Sequence, residues 1–155
     1  MHIRMIAIGT RMPAWVEAGM QEYVKRLPRE WRFQLREIPL QRRQKHAAPD
    51  RLIAAEGEKM LACLSPQTQP VALDSRGEPW STEELAGRLE GWLQKGHDLA
   101  FLIGGPEGLA PACLARAGVQ WSLSRLTFPH PLVRILVVEQ LYRAWSLLQG
   151  HPYHR

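Results

Sequence analysis

The sequence predicts an α/β fold: a mostly parallel β-sheet with helices on both faces. Three observations carry that expectation. Short apolar runs of strand length alternate with longer segments of helical periodicity along the whole chain. The strongest of those runs, Leu99–Ile103, is apolar at every position, the pattern of a strand covered on both sides. Glycine and proline punctuate the changeovers, as at Gly9, Pro13, Pro39, Gly104–Gly105 and Pro131.

In chain order, Ile3–Ile8 reads as a buried strand ended by Gly9. Pro13 opens a helix to about Leu27, with Val16, Met20, Tyr23, Val24 and Leu27 on one face. Phe33–Ile38 alternates apolar and polar residues and makes a second strand, and the stretch from Gln41 to about Asp50 lacks periodicity and reads as a mobile loop. A helix from about Asp50 to Leu64 buries Ile53, Met60, Leu61 and Leu64. Val71–Leu73 is a third strand leading into DSRGEPW, and Ser81 with Glu84 forms a capping box for a helix carrying Leu85, Leu89, Trp92 and Leu93. After Leu99–Ile103 come a helix over Ala110–Ala117, a strand within Trp121–Phe128, and a final helix with Pro131 in its first turn. That last helix is apolar on far more than one stripe, from Leu132 through Leu148, which predicts a second subunit as cover.

Composition narrows the function classes. The chain has 155 residues, 45% of them hydrophobic, enough for one domain (1–155) with a core of its own. Its net charge of +5 admits an anionic partner or a merely solvated basic face. Cys63 and Cys113 stand fifty residues apart and match neither a disulfide framework nor a zinc knuckle. Charged residues interrupt every long apolar run and the N-terminal one is too short for a signal peptide, so a cytoplasmic protein without membrane spans is expected.

Ligands of doubly wound sheets bind beyond the carboxyl ends of the strands. Three such ends are candidates: Leu73–Asp74, the turn Gly104-Gly105-Pro106-Glu107-Gly108, and Ser122–Phe128. The turn is either a tight turn or a cradle where backbone can approach a ligand closely. It matches neither the dinucleotide nor the phosphate-loop glycine pattern. His151 and His154 lie three apart, but Pro152 and the lack of a joining cluster argue against a metal. His130 reads either as the N-cap of the last helix or as a catalytic group. Basic residues concentrate between Lys25 and Lys45 around Trp31, a phosphate-binding patch or a solvated face.

The motifs LIGGPEG, LTFPHPLVRILVVEQLYRAW and the closing HPYHR resemble the RlmH family of bacterial SPOUT-class methyltransferases. The likeness extends to IAIGTRMPAWVEAGMQEYVKRLP and LDSRGEPWSTEELA and so covers essentially the whole chain. The resemblance implies an α/β knot formed by the C-terminal segment, a homodimer, and methylation of a pseudouridine ring nitrogen in large-subunit (23S) ribosomal RNA within the ribosome. It implies S-adenosylmethionine as cofactor, against Leu73, Gly104, Leu123, Ser124, Arg125, Leu126, Thr127 and Phe128. On that reading His154 or His130 helps remove the ring proton, Arg155 or Arg134 steadies charge on the ring carbonyls, and Tyr153 stacks on the base. Competing readings are a non-catalytic RNA- or ribosome-binding factor of the same fold, and a small NAD-binding oxidoreductase.

Overall fold

The computed structural model describes residues 1–41 and 48–155. Five strands form one parallel sheet: β1 (Ile3–Ile8), β2 (Gln34–Ile38), β3 (Thr68–Pro79), β4 (Asp98–Ile103) and β5 (Gln120–Ser122), in the order β2-β1-β4-β3-β5. The α/β expectation is borne out. Leu99 through Ile103 of β4 are essentially inaccessible because β1 and β3 flank them and helices cover both faces.

The helices are α1 (Ala14–Val24), α2 (Pro49–Leu61), α3 (Thr82–Lys95), α4 (Pro111–Ala117) and α5 (His130–Leu148). Helices α1, α3 and α5 pack on one face, around Met20, Leu89, Leu141 and Phe101; α2 and α4 pack on the other, around Met60, Cys113 and Leu102. The capping box forms as expected: Ser81 Oγ accepts from the Glu84 amide at 3.1 Å, and Glu84 accepts from the Ser81 amide at 2.9 Å.

Helix α5 lies between α1 and α3, and no residue from His130 to Leu148 is fully exposed. A helix with neighbours on two flanks and a sheet beneath buries three sides, so the chain itself covers part of the surplus apolar surface. Leu132, Ile135, Leu136 and Leu147 remain only half-buried.

Three expectations need correction. Strand β3 is longer than Val71–Leu73: it pairs with β5 through Leu73, bulges at Asp74–Gly77, and rejoins at Glu78 and Pro79. Gly77 makes this possible, since a Cβ there would stand 2.7 Å from the backbone of Gln120. Strand β5 ends at Ser122 rather than continuing towards Phe128. Ser122 Oγ donates to the Ser124 carbonyl at 3.0 Å and Ser124 Oγ accepts from the Leu126 amide at 3.0 Å, so hydroxyls replace the ladder and turn the chain out of the sheet. His130 is not the N-cap of α5. Pro129 holds that position, its carbonyl accepting from Leu132 and Val133, and His130 is already helical.

Candidate active site

The bulge after Leu73, the turn after β4 and the loop after β5 enclose a cavity of about 490 Å³ at the carboxyl edge of the sheet. That is ample for a cofactor-sized molecule. Seven of the eight residues expected to hold the cofactor line it: Leu73, Gly104, Leu123, Ser124, Leu126, Thr127 and Phe128. Arg125 does not; it is exposed. All three strand ends singled out in the sequence therefore meet in one pocket.

Gly104 shows why this turn is tight. A Cβ there would lie 2.5 Å from the Gly108 carbonyl carbon and 2.8 Å from the Leu109 nitrogen. The loop folds back on itself through the Gly108 amide, which donates to the Gly105 carbonyl at 3.0 Å, with Gly108 at φ +84°. Across the pocket, Asp74 accepts from the Arg76 amide at 2.8 Å and from its guanidinium at 3.2 and 3.3 Å. Burial pulls the Asp74 carboxyl upward, but the hydrogen bonds from Arg76 outweigh it and hold the group below the ordinary carboxylate range.

Trp121, which sequence reading missed, and His130, which it named as a catalytic candidate, complete the wall. Trp121 lines the pocket and is fixed by stacking on Trp80 at 5.2 Å and by Phe101 edge-on at 6.2 Å. Its signal was a tryptophan at the head of the expected strand segment Trp121–Phe128, indistinguishable from a core residue. His130 also lines the pocket. The Trp121 Nε1 and His130 Nδ1 atoms are buried without a hydrogen-bond partner among the described residues. Two orphaned polar atoms beside a cavity fit a site that a polar ligand completes. Burial, and then the nearby Arg134 charge, push the His130 imidazole below its ordinary pKa of 6.5, which favours its neutral form.

Arg134 has a different task from the one expected. It is fully buried, donating to Glu37 Oε2 at 2.7 Å and to the Gly9 carbonyl at 2.8 Å. A guanidinium so enclosed ties the start of α5 to the ends of β1 and β2 and presents no surface to a substrate.

None of residues 151–155 lines the pocket. They form a 3₁₀ turn, Pro152–His154, folded back on α5. The His151 amide donates to the Ser146 carbonyl at 2.8 Å, the Tyr153 ring meets Tyr142 edge-on at 4.5 Å, and its hydroxyl donates to Glu139 at 3.3 Å. Guanidiniums of Arg143 and Arg26 stand 5.0 and 5.9 Å from the same ring. Tyr153 is thus an anchor, its ring engaged by its own chain rather than held ready to stack. His154 Nδ1 lies 2.7 Å from the His151 carbonyl. A carbonyl only accepts, so Nδ1 carries the proton and Nε2 is the basic nitrogen. Arg155 is exposed.

Of the basic cluster, Lys25, Arg29, Arg32 and Arg36 are exposed, whereas Arg42, Arg43 and Lys45 lie outside the described residues, as does most of the expected mobile loop. Among the described residues no group of three or more His, Cys, Asp or Glu could hold a metal ion, and no helix is long and apolar enough to cross a membrane.

The fold resembles solved structures at low sequence identity. A protein described as a probable methyltransferase from Bordetella pertussis Tohama I matches with TM-score 0.60 and 17% identity over 92% of this chain and 93% of that one. A methylase family protein from Neisseria gonorrhoeae matches with TM-score 0.56 and 14% identity over 90% and 81%. Sequence relatives are far closer. Proteins named ribosomal RNA large subunit methyltransferase H from Alkalilimnicola ehrlichii and Hahella chejuensis are 59% and 57% identical over 155 residues, covering 100% of this chain and 99% of each relative. The same-named protein of Pseudomonas aeruginosa strain PAO1 is 57% identical over the full length of both. A family model described as a predicted SPOUT methyltransferase matches residues 1–154. With the glycine-bared pocket at the strand ends, these likenesses place the chain in the SPOUT methyltransferases, in the family of ribosomal RNA large subunit methyltransferase H.

Proposed function

We propose that this protein transfers a methyl group from S-adenosylmethionine to the ring nitrogen at position 3 of a pseudouridine in large-subunit ribosomal RNA, acting on assembled ribosomes in the cytoplasm. The observation that carries the reading is the pocket at the three strand ends, where Leu73, Gly104 and Leu123–Phe128 come together around buried polar atoms without partners. Residues 1–155 act as one methyltransferase domain. The C-terminal segment threads a loop to form a knot, a reading supported by SPOUT membership.

In this reading Leu73, the Gly104 turn and the Leu123–Phe128 loop hold the cofactor, with Trp121 as part of the wall. The bound cofactor supplies an already activated methyl group, so the chain's work is alignment and proton removal. Aligning two bound reactants can lower the barrier by roughly 7–11 kcal/mol. The acceptor nitrogen lies between two carbonyls and is a poor nucleophile until its proton leaves. His154 Nε2 is a suitable acceptor, because the His151 carbonyl fixes the tautomer. Arg155 steadies the charge left on the carbonyls, and Tyr153 holds both in place.

The tail cannot serve its own pocket as docked. Tyr153 rests at Glu139, nine residues beyond His130, about 13 Å along α5. A homodimer that brings one chain's tail to its partner's pocket resolves this, and the half-buried apolar residues of α5 suit such an interface. The test is calorimetry with S-adenosylmethionine, then methylation of ribosomes lacking the modification, read by mass spectrometry of the RNA. Donor binding with transfer to one pseudouridine is expected. Binding without transfer to any ribosomal substrate would point to an RNA-binding factor, and binding of NAD instead to an oxidoreductase.

A further inference from the structure

The basic cluster at the end of α1 lies on the opposite edge of the sheet from the pocket. Helix α1 runs back against β1, and Gln34, just after the cluster, pairs with Arg4 at the start of that strand. Six strand residues, about 20 Å, separate this edge from Gly9. Lys25, Arg29 and Arg32 are exposed here, and Arg29 and Arg32 have no ion-pair partner among the described residues. Arg32 holds φ +44°, a conformation that favours glycine, which makes a long charged side chain at this turn unusual. The neighbouring Arg26 belongs to both features, pairing with Glu22 at 2.6 Å while its guanidinium faces the Tyr153 ring. Cluster and tail therefore form one surface, remote from the pocket of the same chain.

We propose that Lys25, Arg29 and Arg32 are a phosphate-gripping surface for the RNA substrate that works together with the tail of the same chain, and so serves the methyl-donor pocket of the partner chain. The inference rests on the methyl-transfer reading above. In a dimer that docks a tail at the partner's pocket, Arg26 carries this surface along with Tyr153 to the rim of that pocket. RNA phosphates are then gripped by one subunit and the methyl group delivered by the other.

Two experiments test it. The first uses the triple variant Lys25→Gln, Arg29→Gln, Arg32→Asn, all exposed positions, with Lys59→Ala on the α2 side as control. On ribosomes, KM should rise on the order of tenfold with donor affinity unchanged. The slope of log affinity against log salt should fall by roughly 2–3, at about 0.7–0.9 for each phosphate that is no longer neutralised. The control should match wild type in both. An unchanged KM and salt slope in the triple variant, or an equal loss in the control, overturns the phosphate grip while leaving methyl transfer standing. A wild-type protein that binds no methyl donor overturns both.

The second uses two differently tagged chains, co-expressed and purified as mixed pairs. Pairing the triple variant with a pocket-blocked Gly104→Val chain should restore about half of wild-type activity, since one complete site survives. Pairing the triple variant with a chain lacking residues 151–155 should leave one site whose KM stays raised about tenfold, whereas the first pair keeps the wild-type KM, because grip and tail must come from one chain. The reverse pattern, or failure of any mixed pair to form, overturns the assignment to opposite subunits.

Discussion

Gly104 is the residue on which the pocket depends. Any side chain there meets the Gly108 and Leu109 backbone within 2.8 Å, and backbone cannot swing aside as a side chain can. Gly104→Val should open the turn and weaken donor binding at least tenfold, measured by calorimetry, while the far-ultraviolet circular dichroism stays that of the wild type. His130 gives a second prediction, of pH dependence. Its folded pKa lies below the ordinary 6.5, through burial first and Arg134 second. Between those two values the unfolded chain binds more protons than the folded one. The stability involved is therefore full above 6.5 and fades as pH falls through the window. His130→Gln should flatten the decline of the urea midpoint below pH 6.5; an unaltered slope would assign that decline to other groups. Neither prediction is legible in the residues taken singly. GGPEG by itself fits an ordinary turn as well as a cradle, and nothing in a run of apolar helix residues tells that Arg134 is the enclosed one.

At the scale of elements, strands and helices are legible where one periodicity dominates. The chain misleads where polar side chains take over the backbone's hydrogen bonds. Ser122 and Ser124 end β5 early, and the Asp74–Gly77 bulge lets β3 resume after an apparent turn. Such side-chain bonds depend on rotamers that composition does not reveal. The start of α3 is legible, because a capping box is written in sequence at fixed spacing. Ser81→Ala should remove it at a cost of about 1 kcal/mol. For a chain of this size that is a fall in melting temperature of roughly 2–4 °C, measurable by calorimetry without loss of donor binding.

For the whole molecule, pocket and tail sit at separate places and must be united by assembly. Deleting residues 151–155 should leave donor affinity intact and abolish transfer, since none of the five lines the pocket. Undiminished methylation would remove the tail from the mechanism. Sedimentation of the wild type should give about twice the 17.7 kDa chain mass.

By itself the sequence determined the alternation of elements, the parallel sheet, the three strand ends that meet in the pocket and the family. Each of these is written in local periodicity and in motifs of consecutive residues. The tertiary structure alone decided which of the charged and polar groups are free to act. It enclosed Arg134, turned Arg125 outward, brought Trp121 and His130 to the pocket wall and docked Tyr153 on Tyr142 and Glu139. Burial and partnership depend on contacts between segments up to 126 residues apart, and no window of sequence contains them.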